Sequence, residues 1–226
     1  AKKARERALF PTEEMYPNLM NLSFGTEDDG DPDNPVRIAC RKASIDYGID
    51  IAAAAGNSGP KMTTVTLPAC EPLVTAVGAA ETMGCYVWEK SSRGPTVQAE
   101  TKPDFVLWGT NIRVASHKAD DEYDIKSGTS FSAPMLSELT GLLWESGRRS
   151  YGVGWLFRWI VAREFAPHFC VKPAEAPVGK DNTYGYGLPL SLEVSLPEVS
   201  VMQAAAGMMS LSMLGLMMAG ALRATV

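Results

Sequence analysis

Two short apolar runs, joined by a capped helical segment, constrain the fold of this chain most strongly. The first run is Leu19 to Phe24, and the second, Ile49 to Ala55, consists mainly of small residues. Between them, Asn34 predicts a helix N-cap with Pro35 in the first helical position, and Gly48 predicts the end of that helix. Apolar residues recur at helical spacing within it: Val36, Ala39, Cys40, Ala43 and Tyr47. A strand, a helix and a second strand in this order predict a β-α-β unit with parallel strands.

The same alternation continues along the chain. Apolar runs at Leu73 to Ala79 and Asp104 to Leu107 predict two more strands, and Ile112 to Ala115 with Tyr123 to Ile125 predicts a hairpin. An apolar stripe from Met135 to Leu143 predicts a helix that is buried on one side. We therefore expect an α/β domain with a mainly parallel β-sheet and helices on both faces.

Composition excludes several classes of protein. The chain has 226 residues, of which 46% are hydrophobic, and a net charge of −5, which indicates a globular protein with one full core. Acidic residues outnumber basic ones, 26 to 21, and no basic run exceeds Lys2-Lys3, so no nucleic-acid partner is indicated. The four cysteines form no C-x-x-C pair, and buried apolar positions are favoured over disulfides or a zinc site: Cys40, Cys70, Cys85 and Cys170.

A serine in the stretch Ser127 to Pro134, Ser-Gly-Thr-Ser-Phe-Ser-Ala-Pro, is the first candidate for chemistry. Proline suits the first turn of a helix, where its missing N–H costs nothing, so we expect Ser130 at a helix N-terminus with Pro134 in the first turn. Unpaired N–H groups and the positive end of the helix dipole favour the alkoxide of a nucleophilic serine. Ser130 could equally be an ordinary N-cap, and these residues alone leave both roles open.

Five motifs occur in the order and approximate spacing that subtilisin-like serine proteases show. They are Ala53 to Pro60, Leu67 to Ala69, Ser91 to Pro95, Lys102 to Asp104 and Ser127 to Pro134. The resemblance covers about Asn18 to Leu190, because Tyr184 to Leu188 is similar to the turn that closes the family's catalytic domain. It implies a subtilisin-like fold that is incomplete without an upstream segment, and a peptide or protein as substrate.

On this resemblance, Ser130 matches the nucleophile and Asn57 matches the side chain that donates to the oxyanion. The chemistry agrees, because a tetrahedral intermediate needs a fixed N–H donor at its negative oxygen. In isolation, an asparagine in the turn Gly56 to Pro60 would also fit a residue that tolerates positive φ.

The resemblance also implies which residues bind substrate. The strand edge on which an extended peptide would lie comprises Leu22, Ser23, Phe24 and Gly25. The opposite wall of the primary specificity pocket comprises Ala54, Ala55 and Gly56, with Thr66 near its floor. A small hydroxyl at the floor favours an apolar or uncharged residue before the cleaved bond.

A weak cation site is a further implication of the resemblance. The carbonyls of Ala69 and Glu71, together with Asp104, match a site in some relatives that would hold structural calcium or a monovalent cation. A structural salt bridge is as good an interpretation of Asp104. The chemistry itself requires no cofactor.

The family's histidine and aspartate have no counterpart in this chain. In the family both precede the segment that resembles Asn18 onward, whereas His117 and His168 lie after Asn57. We interpret these histidines as a hairpin residue and a helix-end residue. The expectation is a serine peptidase whose Asp and His come from an upstream half of the domain; the alternative is an inactive protease-like binding or structural subunit. Endopeptidase and tripeptidyl-peptidase activity are not separated.

Three sections are predicted along the chain. Residues 1–17 would contain the end of a helix, and a linker, from the upstream segment. Residues 18–190 would form the C-terminal half of the catalytic domain, and residues 191–226 would form an apolar, Met-rich tail. Val199 to Leu222 is uncharged and long enough to span a bilayer, but its methionines also suit packing against protein. A membrane partner, and an extracellular or membrane-associated location, therefore stay open.

An acidic loop follows the strand edge that would bind substrate. Glu27, Asp28, Asp29 and Asp31 lie in it. These charges could attract basic residues that flank the cleaved bond, although a solvated loop is the preferred interpretation.

Overall fold

A four-stranded parallel sheet forms the centre of the fold. The computed structural model describes residue 17, residues 19–151 and residues 170–189. The sheet strands, in spatial as in chain order, are β1 (Leu19–Leu22), β2 (Asp50–Ala54), β3 (Thr75–Ala80) and β4 (Phe105–Trp108). All three neighbouring pairs are parallel. The predicted mainly parallel α/β fold is confirmed.

Two helices and two small antiparallel ribbons complete the described part. Helix α1 (Pro35–Ile45) connects β1 to β2, and helix α2 (Thr129–Tyr151) follows the hairpin of β5 (Ile112–Ala115) and β6 (Tyr123–Lys126). Strands β7 (Cys170–Val171) and β8 (Leu188–Pro189) form the second ribbon. The hairpin prediction is confirmed, with β6 one residue longer than expected.

The helices cover opposite faces of the sheet because side chains alternate along a strand. On β2, Ile51 and Ala53 are buried in one cluster with Cys40 and Ala43 of α1. Ala52 and Ala54 are buried in the other cluster, together with Ala133 and Leu136 of α2.

The start of α1 follows from its local sequence. The Asn34 side chain accepts a hydrogen bond from the backbone N–H of Val36 at 2.9 Å, and Pro35 takes the first helical position, as predicted. After the helix, Gly48 adopts a φ of 61°, a conformation that glycine accepts readily.

The buried face of α1 differs from the predicted one. Its buried residues are Arg37, Cys40 and Ala43, while Val36 and Ala39 are exposed. Arg37 takes an inward position because ion pairs compensate its burial: its guanidinium lies 2.6 Å from Asp28 and 3.5 Å from Glu71.

Several predictions fall on residues outside the described ranges. The chain divides into two compact units, Ala1–Leu190 and Ser191–Val226, and every element given above belongs to the first. The predicted N-terminal helix, His168 and the apolar tail, with its candidate membrane anchor, lie outside the described residues. Within the described residues, no helix has the length and apolar character needed to cross a bilayer.

Candidate active site

Ser130 lies at the start of α2, where the chain arrives from the hairpin of β5 and β6. Its hydroxyl donates to the backbone carbonyl of Ser23 at 3.1 Å, and the hydroxyl of Ser23 donates to the backbone carbonyl of Ser130 at 3.0 Å. This reciprocal pair joins the N-terminus of α2 to the segment directly after β1. The expected helix N-terminus is confirmed, and the candidate nucleophile lies beside the predicted substrate edge.

The position of Pro134 explains why Ser23 can make this contact. We expected this proline in the first turn, but α2 begins at Thr129, so Pro134 lies in the second turn. At that position a normal residue would donate its N–H to the carbonyl of Ser130, and proline has none. The carbonyl of Ser130 therefore lacks the donor four residues further along the helix, and it accepts the hydroxyl of Ser23.

Asn57 is oriented by Thr129, the residue before Ser130. Its amide oxygen accepts the backbone N–H of Thr129 at 2.9 Å and the hydroxyl of Thr129 at 3.0 Å. These two donors assign the oxygen, which leaves the amide nitrogen as the outward donor. A Cβ added at Gly128 would lie 3.4 Å from that nitrogen, so the glycine keeps the space beside it open.

The backbone of Asn57 decides against its simpler interpretation. Among the described residues other than glycine, positive φ occurs at Thr63, Met83, Ala99 and Asn111, and not at Asn57. A tolerance for left-handed backbone therefore does not account for an asparagine at this position.

Thr129 is a site residue that sequence reasoning missed. It is 1% exposed, and besides bonding Asn57 its hydroxyl accepts the backbone N–H of Gly56 at 3.2 Å. One buried side chain thus joins the end of β2 to the start of α2. The sequence did offer one indication of this role, because Thr129 directly precedes the candidate nucleophile.

The predicted pocket residues converge around Thr66. Thr26 and Leu67 exchange two backbone hydrogen bonds of 2.9 Å, which brings Gly25 against Thr66. A Cβ at Gly25 would collide with the Thr66 hydroxyl, and one at Gly56 would lie 2.7 Å from the Thr66 methyl group. The two glycines therefore let their backbones approach Thr66 closely, at the predicted specificity pocket, here called the cleft.

The remaining pocket and edge residues differ in exposure. Ala54 and Ala55 are 4% and 0% exposed, so their methyl groups and nearly all of their backbone atoms are buried. The hydroxyl of Thr66 donates to the Ala55 carbonyl at 3.2 Å. On the opposite side Leu22 and Ser23 are half-buried, whereas Phe24 is 63% exposed. No charged side chain is present among the residues predicted to line the cleft.

The residues around Asp104 do not suit a cation. One carboxylate oxygen of Asp104 lies 2.7 Å from the Lys102 ammonium, and the other lies 2.6 Å from the Lys180 ammonium. The same ammonium of Lys102 donates to the carbonyl of Val74 at 2.6 Å. A calcium ion at Asp104 would face two positive charges, so the alternative interpretation, a structural ion pair, describes this residue. The carbonyls of Ala69 and Glu71 as cation ligands stay a prediction.

Burial and charge act against each other on the Asp104 carboxyl. Burial alone would raise its pKa, but the charges of Lys102 and Lys180 and their hydrogen bonds outweigh burial, so the pKa lies below its ordinary value. Asp104 is therefore a stable carboxylate at neutral pH and does not act as a proton donor.

A histidine and two cysteines with possible chemistry have no described contact with Ser130. His117 is exposed in the turn between β5 and β6, in agreement with its interpretation as a hairpin residue. Cys40 and Cys70 are buried, and burial raises the pKa of the Cys70 thiol to about 12. These cysteines occupy core positions, as expected.

One residue of the acidic loop has a structural partner. Asp28 is 4% exposed at its side chain and lies 2.6 Å from the guanidinium of Arg37. Glu27, Asp29 and Asp31 remain exposed, so the proposed attraction for basic substrates would rest on these three.

Comparison with known proteins places the chain in a family. Parallel strands, a serine at a helix start and an asparagine amide beside it define a class of α/β proteins with a candidate acyl-transfer site. Residues 2–187 match the subtilase family, peptidase family S8, and the chain belongs to this family.

Two curated relatives match about half of the chain, and one of them is named a serine protease. The chain is 31% identical over 147 residues to serine protease AprX of Bacillus subtilis. The aligned region covers 56% of this chain and 33% of AprX. The chain is 29% identical over 149 residues to pyrolysin of Pyrococcus furiosus. This aligned region covers 54% of the chain and 11% of pyrolysin. The chain thus spans at most about a third of these relatives.

Solved structures share the fold. Sphericase superposes with a TM-score of 0.64 at 24% identity, covering 82% of this chain and 59% of that one. The S41 psychrophilic protease has a TM-score of 0.59 at 25% identity, covering 76% and 56%.

Proposed function

We propose that this chain is the C-terminal part of the catalytic domain of a serine peptidase that cleaves peptide bonds through an acyl-enzyme on Ser130. The observation that carries the proposal is the orientation of Asn57 by Thr129 next to Ser130. A donor that is fixed before the reaction stabilises the oxyanion without reorganisation, which is the largest single contribution in many acyl-transfer enzymes.

The chemistry assigns a role to each site residue. The Ser130 hydroxyl attacks the scissile carbonyl, and the Asn57 amide nitrogen donates to the oxygen that becomes negative. The N-terminus of α2, where unpaired N–H groups lie, favours the same negative charge. An extended peptide lies along Ser23 to Gly25, with its side chain before the cleaved bond in the cleft above Thr66.

The proton of Ser130 needs a base that the described residues do not supply. In the described part of the chain, the Ser130 hydroxyl donates to the backbone carbonyl of Ser23, and no described contact joins it to His117 in the turn of the hairpin. Within the proposal, an upstream segment contributes the histidine and the aspartate. The sheet supports this partner, because β1 pairs with β2 on one side and its other edge has no described strand.

The second candidate is a protease-like binding subunit without activity. The observation that favours it is the same missing base. The two candidates differ in their response to a serine-directed fluorophosphonate, because phosphonylation requires an activated hydroxyl.

The test compares two forms of the protein. One is the 226-residue chain, and the other, here called the joined protein, also carries the sequence that precedes the chain in its gene. We expect weak labelling of the chain alone, strong labelling and peptide cleavage by the joined protein, and loss of both in Ser130→Ala.

Ser127→Ala is the matched control, since the Ser127 hydroxyl accepts from Asn111 and does not contact Ser130 in the described contacts. A joined protein that cleaves peptides after Ser130→Ala contradicts the assigned nucleophile. A joined protein that neither labels nor cleaves supports the binding subunit.

A further inference from the structure

A chain of hydrogen bonds extends from the interior of α2 to the carbonyl of Ser130. The hydroxyl of Ser137 donates to the side-chain oxygen of Asn21 at 3.3 Å, and the Asn21 amide nitrogen donates to the Ser23 hydroxyl at 2.9 Å. The Ser23 hydroxyl then donates to the Ser130 carbonyl at 3.0 Å. Because Asn21 belongs to β1, these hydrogen bonds join two positions of α2, Ser137 and Ser130, through the strand and the residue after it.

The number of protons available on each side chain decides which group donates in each of these hydrogen bonds. A serine hydroxyl has one proton to donate and lone pairs to accept. Because Pro134 cannot serve the Ser130 carbonyl, the proton of Ser23 is the donor that this carbonyl has among the described contacts. The Asn21 side chain must therefore present its nitrogen to Ser23, since its oxygen would take that proton away.

Ser137 stabilises this orientation of the amide. Its single hydroxyl proton has two acceptors, the carbonyl of Ala133 at 3.1 Å and the Asn21 oxygen at 3.3 Å, and it serves both in turn. Ser137 is 8% exposed whereas Asn21 is exposed, so the orientation of the amide rests first on its 2.9 Å bond to the Ser23 hydroxyl, and the bond from Ser137 adds to it.

We propose that Asn21 is a positioning residue for the nucleophile. By donating to the Ser23 hydroxyl, it directs the single proton of that hydroxyl to the Ser130 carbonyl and holds the first turn of α2 against the end of β1. Ser130 is thereby kept at a constant distance from the edge on which substrate lies. The inference rests on the proposed peptidase function and concerns the rate of attack more than the binding of substrate, since small displacements of reacting groups have large effects on rate.

Two substitutions at Asn21 separate this role from simple packing. Asn21→Asp keeps the shape of the side chain, but a carboxylate accepts from both Ser23 and Ser137, so the Ser23 proton turns away from Ser130. Asn21→Ala removes the side chain and leaves the Ser23 proton free to serve Ser130. We therefore expect kcat of the joined protein to fall by about 10-fold or more in the aspartate variant and by about 3-fold in the alanine variant, with KM within about two-fold.

A double-mutant cycle with Ser23→Ala tests whether the effect passes through Ser23. Without the Ser23 hydroxyl, Asn21→Asp should cost little further activity, whereas a through-space effect of the new charge on the site would persist. Thr140→Val is the control for a helix hydroxyl, because Thr140 bonds the carbonyl of Leu136 within the same helix. It should leave kcat unchanged.

The outcomes distinguish the inference from the proposed function. If the joined protein has no peptidase activity and its Ser130 is not labelled, both the proposed peptidase function and the positioning role of Asn21 are contradicted. An active joined protein in which Asn21→Ala is more damaging than Asn21→Asp, or in which Asn21→Asp costs the same with and without Ser23, overturns the positioning role alone. If the aspartate variant does not fold, the cycle of Asn21→Ala with Ser23→Ala decides, and additive losses overturn the inference.

Discussion

The amide oxygen of Asn57 accepts two hydrogen bonds from Thr129, one from its backbone N–H at 2.9 Å and one from its hydroxyl at 3.0 Å. The two residues are 72 positions apart in the sequence. An oxyanion donor is useful only if it is oriented before the reaction, and Thr129 provides that orientation from the residue next to the candidate nucleophile.

Removing the donor should slow the reaction without weakening substrate binding. We expect Asn57→Ala in the joined protein to lower kcat by about 100- to 1000-fold and to leave KM nearly unchanged, because the hydrogen bond strengthens in the transition state. Steady-state kinetics on a peptide substrate measure both constants. A rise in KM with unchanged kcat would assign Asn57 to ground-state binding instead.

Removing one of the two hydrogen bonds that orient the Asn57 amide should lower kcat, but by less than removing Asn57 does. Thr129→Val keeps the size of the side chain and the backbone hydrogen bond but removes the hydroxyl bond to Asn57 and the acceptor of Gly56. We expect a fall in kcat of about 10-fold, corresponding to one hydrogen bond to a transition-state donor. In an Asn57→Ala background the same substitution should have almost no further effect on kcat, and additive losses would contradict the proposed coupling.

The size of the side chain at Thr66 should set the preference for the residue before the cleaved bond. Thr66→Ala removes a hydroxyl from the floor of the cleft, and we expect kcat/KM for a phenylalanine at that substrate position to rise by about 10-fold relative to alanine. A series of peptides that differ only at this position measures the ratio. Thr64→Ala is the control, since the Thr64 hydroxyl bonds Lys61 and Arg93 and not the cleft. Equal ratios in wild type and Thr66→Ala would place the pocket elsewhere.

Lys102 should contribute far more to stability than an exposed lysine. It is 2% exposed and lies between the Asp104 carboxylate and the Val74 carbonyl. Lys102→Met leaves part of a buried charge uncompensated, and we expect the free energy of unfolding to fall by about 3 to 5 kcal/mol. Lys118→Met breaks an exposed pair with Glu122 and should change it by less than about 1 kcal/mol. Urea denaturation compares the two, and similar losses would contradict the buried ion pair.

Stability should fall in acid because of Asp104. Burial opposes ionisation of its carboxyl, but the charges of Lys102 and Lys180 keep its pKa below the usual value in the folded state. In the unfolded chain the pKa is about 3.9, so the contribution is fully present above about pH 4 and is lost as the pH falls through the folded-state pKa. Denaturation curves at several acidic pH values should show a smaller acid dependence in Asp104→Asn, and an identical dependence would assign the effect to other carboxyls.

The same ion pair predicts how Asp104 responds to cations. Two ammonium groups already surround Asp104, so we expect any shift in unfolding temperature that calcium or potassium produces to be the same in the wild type and in Asp104→Asn. In Lys102→Ser, we expect an added monovalent cation to take the place of the lost ammonium between Asp104 and Val74 and to raise the unfolding temperature. Equal stabilisation of the wild type and Asp104→Asn by calcium would show that a cation site exists elsewhere, for example at the carbonyls of Ala69 and Glu71.

Local features of the sequence determined the elements and the position of the serine. The cap at Asn34 with Pro35, the short apolar runs and the periodic stripe after Ser130 act through neighbouring residues, and the strands, both helices and the start of α2 follow from them. The order of the motifs likewise indicated the family, because that order is a property of the chain and needs no tertiary contact.

Only the tertiary structure decided the contacts that orient the site. Ser23 meets Ser130 across 107 residues, and Lys102, a polar residue with no apolar pattern to indicate burial, enters the core because Asp104 and Val74 compensate its charge. Arg37 is buried for the same reason, against Asp28 and Glu71. Hydrophobic periodicity predicts which positions avoid water, but the burial of a charge depends on partners that are distant in sequence and come together only when the chain has folded.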